Sequence, residues 1–209
     1  MRHFWLFLLG GMLAACGADA PASFDYEQGA ALYETNFVTD AASPFDDAGV
    51  GTHTESGFRL GSETQRYVWA VGNDDGRDLV VSAETRLLTD TPNIGYGVGC
   101  RMAADGSGYY FLVSRDGYYA ILNGTAQSVS NLTEWAFSEV ISTGAGAQNT
   151  VRGVCVGESL ALYVNDVLLA QAQSDTHTAG ATGMIASGGA MGGSEVAFER
   201  IQADAASLP

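Results

Sequence analysis

The sequence predicts an all-β fold built as an antiparallel two-sheet sandwich. Two observations carry this. Short runs of β-branched and aromatic residues recur along the chain, separated by clusters of Asp, Asn and Gly. That spacing suits hairpins rather than helices. Glycine is abundant and proline scarce, at 27 and 4 of 209 residues, so the turns must be made by residues that tolerate positive φ.

Taken in order, residues 26–33 are the one candidate for a short helix. Strands are expected at 57–60, 67–71, 79–87, 95–102, 109–114, 118–122, 150–156, 159–164, 167–171, 183–186 and 195–201. The turns between them include Asn73-Asp74-Asp75-Gly76, Asp105-Gly106-Ser107-Gly108, Asp116-Gly117, Gly157-Glu158 and Asn165-Asp166. Asp116-Gly117, between two aromatic runs, is the strongest hairpin signal. Period-2 alternation assigns faces. In 95–102 the core face is Tyr96, Val98, Cys100 and Met102, and the other face is Gly95, Gly97, Gly99 and Arg101. Leu79, Val81, Ala83 and Leu87 share one face, and Val151, Gly153 and Cys155 take core parity. Trp69 and Trp135 are assigned to the core by size.

The N-terminus carries a different signal. Arg2 and His3 precede an apolar run that ends in Leu13-Ala14-Ala15-Cys16. The run is shorter than the roughly 20 residues that span a bilayer. It resembles a bacterial lipoprotein signal, with an ordinary cleaved signal peptide or a buried helix ending in Cys as the alternatives. On the first reading residues 1–15 are removed, Cys16 carries lipid, 16–23 form a tether and 24–209 the β-sandwich domain. The expected location is extracytoplasmic, anchored to a bacterial membrane through the lipid. Cys100 and Cys155 remain. An even pair of inward parity in an oxidising compartment points to a disulfide, against two separate buried thiols. Such a bridge stabilises by about 4 kcal/mol in the chain-entropy account.

Four stretches resemble, in order, concanavalin A-like lectin/glucanase jelly rolls of the laminin-G-like type found on bacterial surface proteins. They are Asp78-Leu79-Val80-Val81-Ser82-Ala83-Glu84; Gly95-Tyr96-Gly97-Val98-Gly99-Cys100-Arg101; residues 109–119, with Tyr109-Tyr110 and Tyr118-Tyr119 at either end; and Asn149-Thr150-Val151-Arg152 leading to Tyr163-Val164-Asn165-Asp166. In the last, Asp166 stands where the usual motif has Gly. The resemblance spans about residues 32–202. It implies an antiparallel two-sheet jelly roll, a fold that hosts lectins, hydrolases and passive interaction modules alike.

Composition and motifs narrow the chemistry. The chain has no lysine, and its nine basic residues face 24 acids for a net charge of −15, which argues against nucleic acid as a partner. A glycosidase on this fold needs two carboxylates flanking the sugar. Glu84 is the only acid inside 79–87 and shares its face with Arg86; the Glu-x-Asp-x-x-Glu of laminarinase-like relatives does not occur. His53 and His177 lie in polar stretches with no nucleophile motif beside them. Calcium is the one cofactor left open. Asp74, Asp75 and Asp78 form the densest acidic loop and Asp46-Asp47 the next. Tyr109, Tyr110, Tyr118 and Tyr119 flank one hairpin, so each face receives two. The core takes one pair, and the other stands beside the Gly95, Gly97 and Gly99 trough, with Arg101 at its end. The expected function is non-catalytic binding of glycan or envelope polysaccharide on the concave sheet, by Arg101 and the outward tyrosines. The alternatives are a structural or protein-interaction module of the envelope and a sugar-active hydrolase. Nothing in the sequence specifies an oligomer.

Overall fold

The computed structural model describes residues 23–37, 45, 51–189 and 191–209. The expected leader, Cys16, the tether up to residue 22, and Asp46-Asp47 lie outside these residues. In chain order the strands are β1 (Glu27–Asn36), β2 (Gly51–Thr54), β3 (Gly57–Ser62), β4 (Tyr67–Val71), β5 (Leu79–Leu87), β6 (Gly95–Met102), β7 (Gly108–Ser114), β8 (Tyr118–Gly124), β9 (Val129–Asn131), β10 (Ala136–Phe137), β11 (Gln148–Val156), β12 (Ser159–Val164), β13 (Val167–Gln173), β14 (Ala181–Ser187) and β15 (Ser194–Ser207). They form two antiparallel sheets. The eight-stranded sheet runs β13-β12-β11-β5-β15-β3-β2, with β1 also on β15; the seven-stranded sheet runs β10-β8-β7-β6-β14-β4, with β9 on β8.

The expected helix at 26–33 is corrected. It is β1, pairing antiparallel with the far half of β15 from Asn36↔Arg200 to Glu27↔Ser207. Most of β1 is exposed, so no apolar stripe marks its period, and pairing decides its conformation. β2, β9 and β10 are edge strands of two to four residues, too short to show alternation.

The core lies between the sheets. Phe58, Leu60, Leu79, Val81, Leu162, Phe198 and Ile201 from one sheet meet Tyr96, Val98, Tyr109, Phe111, Val113, Ile121 and Met184 from the other. Each fully buried large side chain stabilises the fold by roughly 1.5–3 kcal/mol. Gly153 shows how tightly the layers fit. A Cβ there would fall against the Phe111 ring, which fills the space instead. Cys100 of β6 and Cys155 of β11 form the expected disulfide across the core, with Cα atoms 6.7 Å apart. Asn149 at the start of β11 donates to the Tyr96 hydroxyl near the start of β6 (3.0 Å). These two links fix which ends of the sheets lie together.

Both outer faces carry apolar clusters of their own. On the seven-stranded sheet Met102, Tyr110, Leu112, Leu122 and Ile185 pack with Tyr67, Trp69 and Trp135. On the eight-stranded sheet Val80, Val154, Val156 and Ala161 are covered by Phe24 and Tyr26, and Tyr163 donates to the Phe24 carbonyl (3.1 Å). The assignment of both tryptophans to the core is therefore corrected. In β4, Val68 and Ala70 point inward, so Tyr67 and Trp69 point outward. Every residue of that strand is apolar or aromatic, and its pattern cannot say which parity is inside.

β6 breaks its own alternation. Gly99 pairs with Gly183, but Met102 pairs with Ala181, so β6 carries one extra residue. Arg101 takes it up at φ 52°. Such a bulge reverses the faces beyond it. Met102 leaves the core side and joins the outer cluster, while Arg101 turns away from the glycine face.

Candidate functional site

The outer face of the seven-stranded sheet has an open pocket of about 360 Å³ at the Gly95 end. Five segments build it. Tyr67 comes from the start of β4 and Ser187 from the end of β14. Asn93, Ile94 and Gly95 lead into β6, and Ser114, Asp116 and Tyr118 frame the β7–β8 turn. Trp135, just before β10, completes the wall. Gly95 is the floor: a Cβ added there would lie 3.2 Å from Ser187 Oγ and 3.8 Å from Trp135 Cη2. Asn93 sits in the left-handed region at φ 55°, which Asn tolerates better than most residues.

The polar groups are held in place. Gly95 N–H donates to Ser187 Oγ (2.9 Å). Ser114 Oγ donates to Asp116 Oδ1 (2.7 Å) and accepts from Tyr118 N–H (2.9 Å). That pair fixes the Asp116-Gly117 turn and leaves most of the carboxylate's acceptor positions unused. Burial pushes the Tyr67 phenol up from its ordinary value, so it stands as a neutral hydroxyl. Arg115 is committed to Asp90, through Nε at 2.9 Å. The rim is aromatic as well. Tyr118 is 42% and Phe137 56% exposed, and their rings meet edge-on at 5.8 Å.

The same face is closed at its other end. A Cβ at Gly99 would collide with Met102 Sδ and lie 2.8 Å from Ile185 Cδ1. Tyr110, packed beside Tyr67 at 5.8 Å, donates to the Gly106 carbonyl. Trp69 covers Gly106, and its indole N–H donates to the Ala104 carbonyl (3.2 Å). The glycine trough is thus open at Gly95 and filled by the protein's own side chains at Gly99.

The residues singled out in the sequence separate accordingly. Tyr109 and Tyr119 belong to the inner pair, and Tyr110 and Tyr118 to the outer. Of the four, Tyr118 alone lines the cleft. Arg101 is corrected as a surface residue: its side chain is 2% exposed. Its guanidinium donates to the carbonyls of Arg77 (2.6 Å), His177 (2.9 Å) and Gly157 (2.8 Å) and to Asp78 Oδ1 (3.2 Å). It also stands 5.9 Å from the centre of the Tyr109 ring. The bulge sends it into the end of the sandwich, where it ties three loops together.

The acidic loop is divided among structural tasks. Asp74 accepts from Thr182 N–H (3.1 Å) and Thr182 Oγ1 (2.8 Å) at the start of β14. Asp78 accepts from Gly157 N–H (2.7 Å) as well as Arg101. Asp75 is not brought to either of them by a hydrogen bond, and among the described residues no group of three or more His, Cys, Asp or Glu is placed to hold a metal ion. Glu84 faces Arg200 (3.5 Å). The histidines are more enclosed than polar loops imply. His53 lies in β2 with its ring edge-on to Phe58 at 5.0 Å. His177 Nε2 faces the Gly124 carbonyl (2.9 Å) and Asn123 Oδ1 (2.8 Å), so Nε2 carries the proton.

Comparison with known proteins supplies the fold's setting. No protein-family model matches the chain, and no curated protein sequence does. Solved structures do match. The carbohydrate binding module CBM66 from Bacillus subtilis covers 79% of this chain and 98% of its own, at TM-score 0.67 and 12% identity. A protein of unknown function with galectin-like fold, also from Bacillus subtilis, covers 88% and 100%, at 0.65 and 10%. A Bacillus licheniformis beta-glucanase covers 84% and 98%, at 0.58 and 9%. The fold is a concanavalin A-like, galectin-like jelly roll, as the sequence motifs imply. Binding modules and a glucanase share it, so the fold alone assigns no activity.

Proposed function

We propose that the protein is a non-catalytic glycan-binding module and that the Gly95 cleft is its binding site. The observation that carries this reading is the composition of that cleft. Tyr67, Trp135 and Tyr118 supply aromatic surfaces around a glycine floor, and Asn93, Asp116, Ser114 and Ser187 supply the hydrogen-bonding groups. A sugar ring offers both complements, apolar C–H faces and a rim of hydroxyls. The structural neighbour described as a carbohydrate binding module supports it. The non-catalytic part rests on charge. Asp116 is the one carboxylate among the described residues lining the cleft, whereas glycoside hydrolysis uses two. We propose further that the chain is a lipoprotein held through Cys16, on the strength of Leu13-Ala14-Ala15-Cys16 after the apolar run.

A glycan array probed with the full-length chain tests the function. Binding is expected, and Trp135→Ala is expected to weaken it at least about tenfold, or ~1.4 kcal/mol. Binding that ignores Trp135 would move the site elsewhere, and hydrolysis of a bound glycan would overturn the non-catalytic reading. For the anchor, Cys16→Ser should shift the protein out of the detergent-extracted membrane fraction; unchanged partitioning would refute it.

A further inference from the structure

We infer that the cleft takes the end of an uncharged glycan chain, seated over Gly95, with the next units leaving across Tyr118 and Phe137. This rests on the glycan-binding reading above and adds to it which part of which class of glycan is recognised. Three observations converge.

The first is shape. A site that reads the interior of a polymer must be open at both ends. Here the floor is open at Gly95 but blocked towards Gly99, where Met102 and Ile185 occupy the space that the missing Cβ would leave. Tyr110 and Trp69 extend the same packed surface. A chain entering over Gly95 therefore cannot continue along the sheet face. The pocket, at about 360 Å³, lies near the lower limit for small-molecule sites and suits about one or two sugar rings.

The second is the exit. On the β8–β10 side the wall drops to two neighbouring exposed aromatic rings, Tyr118 and Phe137. Phe137 does not line the pocket; it extends the aromatic surface beyond it. Burying such rings against a second sugar gains apolar contact that a single unit in the pocket cannot make.

The third is charge. Asp116 is the carboxylate that lines the cleft, and its sequence neighbour Arg115 is already engaged by Asp90. Arg66, next to Tyr67 in sequence, lines a separate groove with Glu63. With a net charge of −15 behind it, this site repels uronic-acid or sulfated chains, and among the described residues that line it there is no Lys or Arg to offset the repulsion.

Calorimetry on the full-length chain tests this, using gluco-, xylo-, manno- and galacto-oligosaccharides of one to six units and oligogalacturonates of matching length. In the neutral series that binds, affinity should rise about tenfold from one unit to three and then stay flat. Phe137→Ala should remove that rise, so that the trimer binds no more tightly than the single unit. A bulky tag on one end of a trimer should abolish binding, while the same tag on the other end should not. Affinity that climbs steadily to six units, binding indifferent to both tags, or oligogalacturonates binding as well as neutral chains would each overturn the inference. Those outcomes with Trp135 still required leave the glycan site standing. No binding by any ladder overturns the site and this inference together.

Discussion

The two ends of the seven-stranded sheet's outer face start from the same sequence signal and finish differently. Gly95 and Gly99 lie on one strand with the same parity. Over Gly95 there is open space walled by Tyr67 and Trp135. Over Gly99 there are a methionine sulfur and an isoleucine. The bulge at Arg101 makes the difference, because it returns Met102 to the outer face just beyond Gly99. A stripe of glycines is thus a space, and the neighbouring register decides whether the protein or a ligand fills it. The closed end also holds the disulfide and the buried guanidinium, whereas the open end holds the accessible cleft.

That contrast can be broken most severely at the closed end. Replacing both Cys100 and Cys155 by Ala should cost about 4 kcal/mol in a denaturant titration, from the loop they close. Sugar affinity of the folded fraction should stay as it was. Arg101→Met should cost about 3 kcal/mol, since three carbonyls and Asp78 lose a buried donor. It too should spare binding, and a selective loss of binding with stability intact would return Arg101 to the site. A matched pair sharpens the comparison. Gly99→Ala should destabilise by about 1–3 kcal/mol through overpacking against Met102 and Ile185. Gly95→Ala should cost less than about 1 kcal/mol yet weaken sugar binding at least about threefold, because its methyl group enters the cleft.

The smallest effect concerns pH. His177 is held below the ordinary histidine range, first by burial; Arg101 adds to the shift, and the Gly124 carbonyl and Asp105 oppose it. Below about pH 6.5 the unfolded chain takes up a proton that the folded chain resists. The stabilisation is complete above that pH and is lost as pH falls through the window towards the folded value. His177→Gln should therefore flatten part of the fall in Tm between about pH 7 and pH 5. An identical pH profile in the variant would remove His177 from the account.

Much of the fold was legible because alternation and turn chemistry agree along most of the chain. Strands 79–87, 95–102 and 159–164 stand where the sequence places them, and Leu79, Val81, Tyr96 and Val98 face the core as expected. The disulfide followed from parity and arithmetic. The site was legible only in outline. The glycine face and Tyr118 point to the correct sheet surface, but the bulge that removes Arg101 from it leaves no mark in residue types. Tyr67 and Trp135 were hidden for another reason. This sheet is apolar on both faces, so size alone sends an aromatic residue to the core. Ser114, Asp116 and Ser187 read as ordinary turn and strand-end residues, and only the folding of five distant segments onto one spot gives them a shared role.

The seating of Phe24 and Tyr26 has a consequence for how the molecule stands on a surface. They lie on the outer face of the eight-stranded sheet, over Val154 and Val156, at the end marked by Cys155. The cleft lies on the other sheet's outer face, at the end marked by Asn149 and Tyr96. The chain therefore enters the domain at the corner diagonally opposite the cleft. If Cys16 is acylated as proposed, the lipid would join the domain on the side away from the cleft, and the aromatic mouth would be turned towards molecules arriving from the surroundings.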